Sequence, residues 1–93
     1  MNIQQQQDDG LKGEFFIEVD HHQAAKMTYV WAGQSKFIID HTEVGDSLRG
    51  QGAGKQMVAA AVEFARQKGI KIIPLCPFAK SVIDQTVEFQ DVL

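Results

Sequence analysis

The chain has 93 residues, a net charge of −3 at pH 7 and a single cysteine. This length suffices for one small domain. An isoelectric point of about 5.5 argues against nonspecific nucleic-acid binding, because that binding needs a basic surface. One cysteine excludes an internal disulfide. We find neither an apolar run approaching the ~20 residues of a membrane span nor a recognisable signal peptide, so we expect a cytoplasmic protein without a membrane partner.

The first ten residues are almost entirely polar. They contain four consecutive glutamines and two aspartates. Such a segment has little apolar surface to bury, and burial is what offsets the entropy lost on ordering. The sequence therefore predicts a disordered tail over residues 1–10 and a single folded domain over residues 11–93.

Alternation of apolar and polar side chains predicts three strands in the first half of the domain. The segments are residues 15–19, 25–31 and 37–44, and each shows the period of two that is typical of a half-buried strand. The connections between them are too short for crossovers. We expect a three-stranded antiparallel meander.

The pattern of the second half predicts a helix, a strand and a second helix. Residues 55–68 place Met57, Val58, Ala61, Val62 and Ala65 on one face of a helix. Gly69 is a suitable left-handed stop for it. Residues 70–76 then predict a fourth strand, parallel to the third through a right-handed crossover. Residues 78–84 have a short helical pattern, and residues 86–93 are ambiguous between a helical turn and a loop.

A glycine-rich loop precedes the long helix and is the most informative stretch of the chain. Its sequence is Arg49-Gly50-Gln51-Gly52-Ala53-Gly54. Glycine tolerates positive φ angles, so such a loop can turn several backbone N–H groups toward one point. A helix N-terminus adds unpaired N–H groups and a partial positive charge. The loop predicts a site for a phosphorylated ligand, the alternative being a glycine turn that merely starts a helix.

The pattern Arg-x-x-Gly-x-Gly between the third strand and the helix resembles that of the GNAT-type N-acetyltransferases. The matching residues are Arg49, Gly52 and Gly54. The segments 41–44 (His-Thr-Glu-Val) and 73–78 (Ile-Pro-Leu-Cys-Pro-Phe) are similar to those of the small, single-domain YjdJ-type members. The resemblance implies a minimal GNAT-like α+β fold: a three-stranded antiparallel meander, a CoA-binding loop and helix, a parallel fourth strand and a short C-terminal helix.

The resemblance also implies acetyl-CoA as cofactor and an acetyl group moved to an unidentified amine or protein side chain. Backbone groups of residues 41–44, with Val44 as an oxyanion donor, would face the pantetheine arm. Phe78 would pack on the arm or the adenine, with core packing as the alternative. The residues that would hold the phosphates are Arg49, Gly50, Gln51, Gly52, Ala53, Gly54 and Lys55.

Two side chains are candidates for catalysis. Cys76 follows the fourth strand and is either a nucleophile that takes the acetyl group or a small buried apolar residue. His41 is the candidate general base. Strand alternation puts it on the face of Ile39, from which it could reach Cys76, and Glu43 on the same face is a weaker alternative base. No Cys/His cluster has zinc-ligand spacing, so no metal is expected.

A second hypothesis is a CoA-binding module with little or no turnover. Superfamily members carry helices between the first two strands that shape the acceptor pocket, whereas only residues 20–23 intervene here. The cofactor half is thus present and the acceptor half is reduced. For so small a fold we expect a monomer.

Overall fold

The computed structural model describes residues 2–8 and 10–93, which form one mixed sheet with two α-helices. The sheet contains β1 (Gln4–Gln7), β2 (Lys12–Val19), β3 (His22–Trp31), β4 (Lys36–Val44) and β5 (Lys71–Pro74). The helices are α1 (Ala53–Lys68) and α2 (Pro77–Asp84), with 3-10 segments at Asp46–Leu48 and Val87–Val92. The strands lie in sequence order. β1 to β4 are antiparallel, and β5 is parallel to β4. The predicted α+β fold is confirmed.

The meander has four antiparallel strands rather than the three that we predicted. Gln4–Gln7 forms β1 and pairs with β2, so the expected disordered tail over residues 1–10 is wrong for these four residues. Met1 and Asp9 lie outside the described residues. The tail prediction counted only apolar burial, and β1 is attached in another way.

Side-chain amides attach β1 to the aromatic core. Gln5 Nε2 donates to the Tyr29 hydroxyl at 2.8 Å, and Trp31 Nε1 donates to Gln7 Oε1 at 2.9 Å. A buried hydroxyl without a partner is costly, and Tyr29 is buried. Gln5 is therefore the polar partner that Tyr29 needs, and the bond between Trp31 and Gln7 adds an exposed contact.

A two-residue turn joins β2 to β3. Asp20 and His21 have φ angles of 52° and 66°, the positive values that a type I′ hairpin requires at both central positions. The connection therefore holds no helix, as we expected from its length.

The long helix covers the sheet with the face that periodicity predicted. Met57, Val58, Ala61, Val62 and Ala65 are all fully buried. They contribute to a single core with the aromatic rings of β2, β3 and β4. α1 ends at Lys68 and is capped by Gly69, whose φ is 68° and whose N–H is donated to carbonyls of the last turn. The predicted helix face and stop are confirmed.

An ion pair ties the C-terminal segment to α1. Arg66 donates from Nε to Asp91 Oδ2 at 2.9 Å and from a terminal nitrogen to Oδ1 at 2.8 Å. Lys71 Nζ donates to the Asp91 carbonyl at 2.9 Å. A two-pronged guanidinium–carboxylate contact is among the stronger charged hydrogen bonds, so this pair holds the Val87–Val92 turn against the core.

We predict that Asp91 makes folding stability fall in acid. The hydrogen bond from Arg66 lowers the pKa of Asp91 below its ordinary value of 3.8. A carboxylate with a lowered folded pKa contributes stability above its unfolded pKa and loses it as pH falls through the folded value. Urea midpoints should therefore fall less from pH 6 to pH 2.5 in Asp91→Asn than in the wild type. Glu88→Gln is the control. If the urea midpoint of Asp91→Asn lies below that of the wild type by the same amount at every pH, the prediction is contradicted.

Candidate functional site

The site is built around a parting of the two parallel strands. β4 and β5 pair from Lys36 opposite Lys71 to Ile39 opposite Pro74. The backbone N–H of Cys76 then donates to the Ile39 carbonyl at 3.0 Å, after which the chain turns into α2. In the described part of the chain, β4 therefore continues to Val44 without β5 beside it. Residues 40–44 leave an open strand edge, which we call the β4 edge.

A β-bulge lies in β4 at the start of this opening. Tyr29 pairs with Ile39 but Thr28 pairs with His41, which leaves Asp40 as the extra residue. The Thr28 hydroxyl donates to Asp40 Oδ1 at 2.7 Å and holds the bulge. An extra residue reverses the alternation of faces beyond it.

The bulge overturns one of our predictions about the site. Ile39 is fully buried, but the His41 side chain is 57% exposed and Thr42 is half-buried. The prediction that His41 shares the face of Ile39 is wrong. Thr42 takes that inward position instead, and alternation alone gave no reason to single it out. Asp40 was the available signal, because aspartate is uncommon inside strands.

Cys76 meets Thr42 inside the opening. It is 6% exposed, and its Sγ donates to Thr42 Oγ1 at 3.3 Å. The fourth predicted strand ends at Pro74 rather than at residue 76, and Cys76 directly precedes α2 with Pro77 as the first helical residue. The backbone bond to Ile39 fixes Cys76 from the other side.

His41 lies on the outer face of β4 with Glu43. His41 Nε2 is 3.0 Å from Glu43 Oε1, and hydrogen bonding to His41 followed by the charge of Lys26 lowers the pKa of Glu43. A neutral His41 that donates Nε2–H to Glu43 keeps Nδ1 as a proton acceptor. The structure thus brings His41 to Glu43 and does not bring it to Cys76.

The glycine loop presents an uncapped helix N-terminus beside the opening. Gly50 and Gly52 have φ angles of 77° and 75°, and a Cβ added at either would meet nothing within 4 Å. Gly52 is the N-cap of α1, and no described side chain caps the helix there or puts an acidic group in its first turn. Among the described residues, the first amides of α1, at Ala53, Gly54 and Lys55, therefore have no side-chain partner.

Gly54 has a packing role that distinguishes it from the other two glycines. A Cβ at Gly54 would lie 2.4 Å from the Phe78 ring, so this glycine lets α2 approach the start of α1. The sequence pattern alone gave no sign of this packing role. Phe78 remains 42% exposed, and so it lies both on Gly54 and at the surface of the opening.

The remaining predicted residues make local contacts. Arg49 pairs with Asp46 at 3.1 Å on the surface, and Gln51 Nε2 donates to the Ser47 carbonyl at 3.0 Å. Val44 ends the β4 edge and packs partly on the core. Sequence reasoning missed Leu75, an apolar side chain that is exposed between β5 and Cys76.

Over 2–8 and 10–93, no group of three or more His, Cys, Asp or Glu side chains could hold a metal ion. No helix in the described part of the chain has the length and apolar character that a membrane crossing requires.

We predict that the effect of Gly54→Ala on stability changes sign with Phe78. In the wild type the new methyl group must displace the Phe78 ring, and overpacking costs about 1–3 kcal/mol. In Phe78→Ala the clash is gone, and alanine should stabilise the helix by about 0.5–1 kcal/mol relative to glycine. Urea unfolding of the four proteins in this double-mutant cycle measures the difference. An effect of the same sign in both backgrounds would disprove the contact.

Comparisons with known proteins agree on one family. The family model of the GCN5-related N-acetyl-transferases matches residues 14–92. Protein NATD1 of Xenopus tropicalis is 28% identical over 78 residues, which cover 83% of this chain and 72% of that protein. Protein NATD1 of Homo sapiens is also 28% identical over 78 residues, which cover 83% of this chain and 69% of that protein.

Solved structures extend the agreement to the fold. A GCN5-like candidate N-acetyltransferase of Staphylococcus aureus, solved by NMR, superimposes with a TM-score of 0.74 at 37% identity, covering 98% of this chain and 87% of that one. The ribosomal-protein-alanine N-acetyltransferase of Brucella melitensis is 16% identical with a TM-score of 0.67, covering 83% of this chain and 62% of that one; it shares the fold alone. This chain belongs to the GCN5-related N-acetyltransferase family.

Proposed function

We propose that the protein is an N-acetyltransferase that moves an acetyl group from acetyl-CoA to an amine of a small molecule or a protein side chain. Family membership supports acetyl transfer in general. The observation that carries the proposal is the β4 edge, open beside the uncapped N-terminus of α1. Unpaired backbone groups and uncapped amides together suit a ligand with an amide-containing arm and a phosphate end.

The glycine loop would hold the cofactor's pyrophosphate. Its backbone N–H groups and the positive end of α1 supply an anion site, and Arg49 and Lys55 supply charge. Gly50 and Gly52 leave room for close approach, because neither has a neighbour where a Cβ would stand. The proposed phosphate site comprises Arg49, Gly50, Gln51, Gly52, Ala53, Gly54 and Lys55.

The β4 edge would take the pantetheine arm and the acetyl group. The amides of the arm could supply the hydrogen bonds that β5 no longer provides to the backbone of β4. A backbone N–H near Val44 would stabilise the oxyanion of acyl transfer. Leu75 and Phe78, both exposed beside the opening, would give the arm apolar contact.

The two candidate catalytic side chains would serve different routes, because they lie on opposite faces of β4. In direct transfer, the amine nitrogen attacks the thioester carbon, the carbon–sulfur bond to CoA breaks, and His41 takes the proton that the amine gives up. In the covalent route, the Cys76 thiolate attacks the same carbon and releases CoA. The amine then attacks acetyl-Cys76 and regenerates the thiol.

A CoA-binding module without turnover is the second candidate function. The two-residue turn at Asp20 and His21 favours it, because β2 and β3 have no helices between them to shape an acceptor pocket. This candidate shares the cofactor site with the enzyme and differs from it only in the acceptor step.

Calorimetric titration with CoA tests the cofactor site, and the chain offers a matched control. Gly33 and Gly52 both have positive φ and open space where a Cβ would stand, so alanine costs about 1–2 kcal/mol of backbone strain at either. We expect Gly52→Ala to weaken CoA binding at least about tenfold, and Gly33→Ala to leave it within about twofold. Absence of heat with the wild type, or equal losses in the two variants, would rule out the site.

CoA release over a panel of amines and peptides tests the route. If transfer is direct, His41→Ala lowers turnover about a hundredfold and flattens its pH profile, while Cys76→Ala stays active. If it is covalent, intact-mass analysis shows one acetyl group on the wild type and none on Cys76→Ala. CoA binding without release for any acceptor or any adduct would favour the binding module over the enzyme.

A further inference from the structure

We propose that Thr42 is a positioning residue for Cys76, whose hydroxyl orients the thiol and stabilises the thiolate. The assignment rests on the proposed function, because it gives Cys76 a part in acyl transfer. It rests on the geometry of the opening as well, since Thr42 is the residue that the bulge turns inward. His41, the neighbouring candidate, faces the other side of β4 and cannot do the same.

The contact between the two side chains is fixed at both ends. The backbone N–H of Cys76 donates to the Ile39 carbonyl at 3.0 Å, which sets the distance of Cys76 from β4. On β4, the bond from Thr28 to Asp40 at 2.7 Å holds the bulge that presents Thr42. Threonine is stiff at χ1 because it is β-branched. Its Oγ1 therefore has a defined place, 3.3 Å from Cys76 Sγ.

The hydroxyl can serve both protonation states of the sulfur. The thiol donates its hydrogen to Thr42 Oγ1, as the structure shows. A thiolate has no hydrogen to donate, but a hydroxyl can rotate and donate its own. Hydrogen bonds to a charged partner are roughly twice as strong as those between neutral groups, so the pair favours the thiolate. The thiolate is the form that attacks a thioester.

Alkylation by iodoacetamide tests this inference without acetyl-CoA. In that reaction the sulfur–carbon bond forms and iodide leaves, and Cys76 is the chain's only cysteine, so the rate reports on one thiol. We expect Thr42→Val to react about tenfold more slowly at pH 7.5, the size of a lost charge-assisted hydrogen bond. Thr42→Ser keeps the hydroxyl and should restore the rate.

Thr86→Val is the matched control, since it removes a hydroxyl that caps nothing at the start of the Val87–Val92 turn. Should Thr42→Val fail to fold, Thr42→Ala is the second hydroxyl-free variant. A Thr42→Val alkylation rate equal to that of Thr86→Val would overturn the inference. A Thr42→Ser variant that reacts as slowly as Thr42→Val would also overturn it, because the lower alkylation rate would then come from the changed shape of the side chain and not from the lost hydroxyl.

The outcome is separable from that of the proposed function. A protein that gives no heat with CoA but shows the Thr42 effect on alkylation would keep the positioning role and lose the acetyltransferase. Binding of CoA with no Thr42 effect would keep the cofactor site and lose the positioning role.

Discussion

The parting of β4 from β5 is the constraint on which the rest of the site depends. Pro74 is the last residue of β5 that pairs with β4. The next N–H, that of Leu75, is donated back to Ile73 at 3.1 Å rather than across to β4, and the Cys76 N–H then makes the last backbone bond between the two segments, to the Ile39 carbonyl. The two strands therefore separate at the turn that Leu75 makes. A strand edge whose backbone groups lack partners is costly unless water or a ligand satisfies it.

Three further features meet at this opening. The bulge at Asp40 turns Thr42 toward Cys76 and His41 away from it, so the two faces of β4 carry different chemistry. The uncapped start of α1 places amides and a partial positive charge nearby. The close approach of Phe78 to Gly54 holds α2 against that start. The aromatic core and the amide contacts of β1 form the rigid support behind them.

Local pattern predicted the parts of this fold that local physics determines. The buried face of α1, its stop at Gly69 and the strands of the meander follow from side-chain period and from the freedom of glycine at positive φ. β1 escaped prediction because its stability comes from glutamine amides bonded to Tyr29 and Trp31, which are distant in sequence. The bulge escaped because one extra residue leaves the composition of a strand unchanged while it exchanges the faces. The packing role of Gly54 escaped prediction because its partner, Phe78, lies on another helix.

A titration with CoA followed by backbone-amide NMR shifts tests the central claim most directly. If the opening and the glycine loop form one cofactor site, the amides of residues 50–55 and of residues 42–44 shift together with a single dissociation constant. The amides of β1, at the far edge of the sheet, stay in place. Shifts that spare both the loop and the β4 edge, or that centre on β1, would contradict the account.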